Sequence, residues 1–480
     1  MSAKDEIISY VDSRKDLYFE TSDQIWEYAE LGLKEHKSAA ALIDILKNEG
    51  FQVTQGVSDL PTAFLAEFGQ GKPVIAYLGE YDALPCLSQK ADKLERDPVQ
   101  EGAPGHGCGH QLLGVGALAA AVAAKDDMKK HGLKGTIRYY GCPAEEGGCG
   151  KGFMVRDGLF KDVDAAFTWH PAIAYAPWVL SALSALSINF HFTGKAAHAG
   201  AAPHLGRSAL DACELMNVGV NYLREHVPEE VRIHYAYLDA GGPAANVVQS
   251  RATLQYIIRA KKLQTALEVL ERVKDVARGA AMMTGTQMEC KEKACFADFV
   301  PNRVLSKLLG EAMEELGAPQ YDAEDYAYAQ QIRDVIKPSY GAIDHRETGM
   351  AKAEATHFYE THPIYDRVTP YFETDEYMSA STDVGDVSQV IPTAQLRTPC
   401  FAIGTPGHSW QIVTQGKSSI AHKSILITGK TLALAGIKVL EDDSGNILGQ
   451  AKAELMSKTG GKYVSPFPEG MTPQDVLDAT

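Results

Sequence analysis

This 480-residue sequence predicts an α/β fold, a doubly wound mixed sheet interrupted by a ferredoxin-like α+β unit. Short apolar runs (PVIAYLG, GTIRYYG, VDAAFTW) alternate with amphipathic helical stretches over the first ~180 residues. Each of these runs stops at a turn that carries acids, a cysteine or a histidine. From Leu186 the texture changes to strand, helix, strand, strand, helix, strand, the order of a ferredoxin-like unit. The expected organisation is one α/β domain in two segments, residues 1–183 and 298–480, with the inserted unit over 184–297.

Taken in order, IWEYAELGLKEHKSAAALIDILKNEG has helical periodicity, and the strand PVIAYLG ends at Glu80, Tyr81 and Asp82. Asp82 suits an acid that orients an imidazole from behind, and a solvated strand-end acid fits equally. Next, GHGCGHQLLGVGALAAA sets Cys108 and His110 two residues apart at the mouth of a helix. Thiolate and imidazole both bind borderline transition metals, and Gly105, Gly107 and Gly109 let the backbone turn both toward one point. A glycine-rich helix cap around an inert buried cysteine fits the same string. The strand GTIRYYG delivers Glu145 and Glu146, flanked by Pro143, Gly147 and Gly148. Two such acids divide naturally into a ligand and a proton carrier, although loop acids are also commonly just solvated. The run VDAAFTWHP ends at His170, which alone reads as a structural histidine. Three such strand ends in one α/β segment converge on one sheet edge.

In the inserted unit the strands are LSINFHFTG, VRIHYAYLD, NVVQSRATLQYIIRA and TQMECKE. The helices are RSALDACELMNVGVNYLREH, with Ser208 near its cap, and LQTALEVLERVKDVARGAAM. His198 in GKAAHAGAAPH reads as a loop histidine, Asn246 as a turn-closing residue and Arg259 as a strand-end cation. Residues 319–391 are rich in Tyr and acids without a clear period, and read as an insertion. In ASTDVGDVS, Asp383 and Asp386 suit either support of a metal shell or turn capping. His408 follows FAIGTP in a Gly/Pro-rich loop, with His422 its rival, and the tail from Ser457 reads as a polar surface strap.

A hydrophobic content of 45% supports a large core, and the net charge of −16 with no basic block argues against nucleic acid and anionic membranes as partners. The longest apolar stretch, Leu112–Ala124, is too short to span a bilayer, and MSAKDEIISY lacks a signal-peptide core. Eight cysteines (Cys86, Cys108, Cys142, Cys149, Cys213, Cys290, Cys295, Cys400) show no disulfide framework, so a reduced, cytoplasmic chain is expected.

With GEYDAL, GHGCGHQ, CPAEEGG, TWHP, GKAAHAGAAPHLGRSALDA, ASTDVGDVS and GTPGHSWQ, nearly the whole chain resembles the M20 metallopeptidase family, in its amidohydrolase branch. The resemblance implies two divalent metal ions bridged by Cys108, with Glu146 and His408 completing one site and His110 and His170 the other. It implies Glu145 as general base and His198 as the lid histidine that stabilises the oxyanion, often from a neighbouring chain. Asn246 and Arg259, with Arg207 a weaker candidate, become amide and cationic donors for a substrate carboxylate. Manganese is expected from the branch, whereas a thiolate with three imidazoles favours zinc. The chain departs from the wider family at Glu80, where His-x-Asp is usual, and from the branch at Gln111, where Asn or Asp is usual; neither Cys142 nor Cys149 is given a role. The implied activity is hydrolysis of an N-acyl or N-aroyl amino acid, p-aminobenzoyl-glutamate first, by a homodimer or a heterodimer with a related chain. The alternatives are another acyl amino acid, an indoleacetyl-amino acid or a dipeptide; a non-catalytic or partner-dependent member of a two-chain hydrolase; and a Cys108 nucleophile with a histidine base.

Overall fold

The computed structural model describes residues 2–337 and 345–478. Helices α1 (Ala3–Asp12), α2 (Lys15–Tyr28) and α3 (His36–Asn48) lead into strands β1 (Gln52–Gln55), β2 (Phe64–Gln70) and β3 (Val74–Glu80). A long excursion then enters α4 (His110–His131), followed by β4 (Gly135–Cys142), α5 (Gly150–Arg156), β5 (Ala165–Ala172), β6 (Ala176–Trp178) and β7 (Ser181–Ala182). The inserted unit runs β8 (Ser184–Thr193), α6 (Ala209–Leu223), β9 (Arg232–Asp239), β10 (Arg251–Ala260), α7 (Leu263–Thr284) and β11 (Gln287–Phe296). The chain returns through α8 (Arg303–Leu316), α9 (Ala323–Ile336), α10 (Lys352–Thr361), β12 (Tyr377–Met378), α11 (Val384–Val390) and β13 (Thr393–Pro399). It closes with α12 (Trp410–Gln415), α13 (Ser419–Leu440), α14 (Asn446–Thr459) and α15 (Pro473–Asp478).

The main sheet has seven strands in the order β1-β2-β4-β3-β5-β13-β6. The inner four, β4, β3, β5 and β13, are parallel, and antiparallel strands flank them. Helices cover both faces, as the near-continuous apolar runs require. Side-chain alternation divides the core: Ile75 and Tyr77 of β3 face the cluster built on α1–α4, α8 and α13, whereas Val74, Ala76 and Leu78 face the cluster on α5. That second cluster continues into the inserted unit through Phe190, Tyr256 and Leu270.

The inserted unit is an antiparallel four-stranded sheet in the order β11-β8-β10-β9, the ferredoxin-like arrangement. Ser208 caps α6 by accepting from the Asp211 N–H, as its position predicts. Strand β10 begins at Arg251, so Asn246 lies in the preceding loop rather than in the strand.

Residues 319–391 are more regular than their sequence suggests. Asp322 starts α9 with a capping box, and Ala329 and Ile332 are buried, so an Ala- and Tyr-rich face replaces the aliphatic stripe that periodicity detects. Part of this segment, 338–344, lies outside the described residues. The tail is a strap with apolar anchors: Phe467 stacks on Phe153 at 4.3 Å, and Met471 and Val476 are buried.

Candidate metal centre and active site

The parallel strands β4, β3, β5 and β13 all end at one edge of the sheet, and the chemistry-bearing residues gather there. Gly109 caps α4 at φ 82°, and a Cβ at this position would come within 3.0 Å of Pro171. Glycine therefore lets the start of α4 seat directly against β5, bringing Cys108 Sγ within 3.4 Å of His170 Nε2. Donor atoms of Cys108, His110 and His170 lie within 4.8 Å of one another, and so do those of Cys108, Glu146 and His408. The two triads share Cys108.

His408 reaches this point from an exposed loop with φ 49°, its Nε2 3.6 Å from Glu146 Oε2. His422 is placed elsewhere, paired with Asp23 at 2.9 Å and stacked on Phe19. Asp82 is fully buried; one oxygen accepts from His110 Nδ1 and the other from the Glu146 N–H, both at 2.9 Å. This bond gives His110 the tautomer with its Nε2 lone pair free, the state a metal ligand needs.

The donor set fits a pair of divalent cations. His110 Nε2 and Glu146 Oε1 are buried without a hydrogen-bond partner, an expensive arrangement unless something positive lies between them. Burial, and then the charge of Glu146, push the Cys108 thiol up, so a cation is what would hold its thiolate. Burial also holds Glu145 well above the usual carboxylate range, with the charges of Glu80 and Glu146 adding to it. A carboxylate of raised affinity for protons beside a cluster of ligand atoms is suited to accept one and return it.

Two charged residues of this region escaped sequence reasoning. Lys151 is completely buried and bridges Glu80 (2.7 Å) and Asp383 (2.5 Å), while the second Glu80 oxygen lies 3.3 Å from His110 Nε2. In sequence Lys151 looks like an ordinary loop lysine. Asp383 therefore neutralises Lys151, and Asp386 accepts from Tyr463 Oη and the Ala297 N–H; neither bond involves a metal donor. Gln111 is buried and donates to the Gly416 carbonyl, whereas Cys142 and Cys149 are buried free thiols bonded to backbone.

The residues of the inserted unit stand apart from these triads. His198 is exposed, and its Nδ1 accepts from the Gly200 and Ala201 N–H groups, which puts the neutral ring's proton on Nε2 as a donor. Asn246 is exposed beside it, its carbonyl accepting from the Ala199 N–H. Arg259 donates to Ser381 Oγ at 2.6 Å, so the guanidinium is engaged by the α/β domain. Arg207 bonds the carbonyls of His204 and Gly206.

Residues 181–282 match the family model described as the peptidase dimerisation domain of M20 proteins. The chain is 44% identical to one of the two subunits of p-aminobenzoyl-glutamate hydrolase from Escherichia coli K12, over 96% of this chain and 97% of that protein. The chain belongs to the M20 peptidase family. It is a hydrolase of amide bonds. The other component of the same E. coli enzyme is a more distant M20 relative, 29% identical over 60% of this chain and 63% of its own length. A solved M20 structure, a dinuclear metal-binding peptidase from Bacillus subtilis, superposes with a TM-score of 0.56 at 17% identity, covering 90% of this chain and 99% of that one. This last likeness bears on the M20 fold alone.

Proposed function

We propose that this chain is a two-metal amidohydrolase that cleaves p-aminobenzoyl-glutamate to p-aminobenzoate and glutamate. The observation that carries the proposal is the pair of donor triads sharing Cys108 next to a buried, proton-retaining Glu145. The identity to an E. coli protein named for this substrate selects the acyl group.

In this reading Cys108, His110 and His170 hold one cation, and Cys108, Glu146 and His408 hold the other. Manganese is the expected metal by family branch, and zinc is its competitor by ligand softness. Bound there, the cations would polarise the amide carbonyl and acidify an attacking water. Glu145 takes the proton of that water and delivers it to the departing glutamate nitrogen. His198, donating through Nε2, supports the oxyanion, and Asn246 contributes an amide to the glutamate carboxylate. Arg259 meets that carboxylate only by releasing Ser381; otherwise it joins the lid to the α/β domain.

Assembly with a related chain is part of the proposal, supported by the similarity to both components of the E. coli hydrolase. The edge strand β9 exposes Tyr235, Tyr237 and Leu238, and α6 exposes Leu215, Val218 and Tyr222 at helical spacing. Among the described residues no helix is long and apolar enough to cross a membrane. Eight unpaired cysteines support a cytoplasmic setting.

The test is glutamate release from p-aminobenzoyl-glutamate by the purified chain loaded with manganese, alongside Glu145→Ala. Release by the native chain and not by the variant is expected. No release with metal demonstrably bound, whether alone or after mixing with a homologue of the second E. coli component, would overturn the substrate assignment.

A further inference from the structure

Glu35 is completely buried, yet it forms no salt bridge among the described residues. Burying an acid without a counter-ion is costly, and burial followed by the charge of Asp82 pushes this carboxyl up to about 8. Both of its oxygens are nevertheless engaged. Oε2 accepts from the Thr62 hydroxyl and Oε1 from the Ala144 N–H, each at 2.8 Å.

Ala144 is the residue before Glu145, and it adopts φ 60°, a left-handed conformation that costs a non-glycine residue about 1 kcal/mol. The peptide on the other side of Glu145 is held as well, because the Glu146 N–H donates to Asp82 at 2.9 Å. The two peptide N–H groups flanking Glu145 thus each end on a buried carboxyl. The loop carrying Glu35 is itself tied to the end of β3, since the Ala83 N–H donates to the Glu30 carbonyl at 2.8 Å. Gly32 of the same loop packs so closely on Ala144 that a Cβ there would meet the alanine methyl at 3.0 Å. Thr62, the other partner of Glu35, is fixed by Tyr81, whose hydroxyl donates to its carbonyl at 2.6 Å.

We propose that Glu35 is a positioning residue for the general base: it holds the strained Ala144 turn and so fixes where the Glu145 carboxylate points. Asp82 shares the task but also orients His110, whereas Glu35 touches no metal donor. The inference rests on Glu145 being the proton carrier.

The experiment is a double-mutant cycle on the metal-loaded chain with p-aminobenzoyl-glutamate, reading kcat, KM and bound metal. Glu35→Ala is expected to lower kcat about a hundredfold, with KM and metal content unchanged. Glu35→Gln, which keeps the acceptor, should stay within about threefold of native. In the Glu145→Ala background, Glu35→Ala should cost nothing further, because the group it positions is gone. Full kcat in Glu35→Ala, parallel loss of metal, or multiplicative loss in the double variant would each overturn the proposal. If Glu35→Ala does not fold, Thr62→Val takes its place, with a drop of about fivefold expected in the native background alone. An unchanged kcat in that variant would then overturn it. Full kcat in Glu145→Ala would instead sink the base assignment and the positioning role with it. A low kcat there beside a native-like Glu35→Ala would sink the positioning role only.

Discussion

Cys108, His110, Glu146 and His170 stand on strand ends with their supporting bonds already made, whereas His198 and Asn246 stand exposed on a loop of the inserted unit. His408 belongs spatially with the first group, although its loop is exposed. The parallel sheet fixes the first set within a single chain, before any substrate arrives. The second set has its hydrogen-bonding edge free, and works only once the lid of this chain or a neighbour is brought over the sheet edge. Chemistry requiring exact donor geometry is thus placed on rigid elements, and chemistry requiring admission of substrate is placed on a movable one.

The sharpest test of this division is Glu145→Ala, for which we expect kcat on p-aminobenzoyl-glutamate to fall about a thousandfold with metal content unchanged. His198→Ala should lower kcat about a hundredfold, again with full metal occupancy by elemental analysis. Loss of metal in that variant would break the comparison by making the lid part of the metal site. Asp82→Asn acts on the rigid side: metal affinity, measured by competition with a chelating dye, should fall about tenfold as His110 loses its orienting carboxylate. Asp386 provides a smaller effect belonging to neither set. Burial pushes it up to about 7. Its protonated form therefore stabilises the fold fully below about pH 4, and this contribution is lost as pH rises through 7. Asp386→Asn should flatten the fall in unfolding free energy between pH 4 and 7 by about 2 kcal/mol, without changing kcat.

The fold class, the lid topology and the strand-end residues were legible because each is written locally. Cys108 and His110 share one turn, Glu145 and Glu146 are adjacent, and His170 closes its own strand. What was not legible depends on partners remote in sequence. Glu35 gains meaning only from a backbone N–H that lies 109 residues on, and Lys151 from a carboxylate 232 residues on. Helices α9 and α10 escaped because alanine and aromatic side chains do the packing that aliphatic periodicity usually announces. Arg259 was read as a substrate cation, and its engagement with Ser381 joins two segments whose proximity no local string encodes.

Strand β13 occupies a place in the sheet between β5 and β6, although it is the last strand of the chain to be made. During synthesis the ferredoxin-like unit, ending at Phe296, leaves the ribosome while that slot is still open and Lys151 still lacks Asp383. The insert can therefore complete its own hydrogen-bonded sheet first, while the surrounding domain carries an unpaired β5 edge and an uncompensated buried ammonium for about a hundred further residues. The nascent chain is thus most exposed to edge-to-edge association just before residue 399 emerges, and truncation between the insert and β13 leaves the hydrolytic domain, rather than the lid, as the aggregating part.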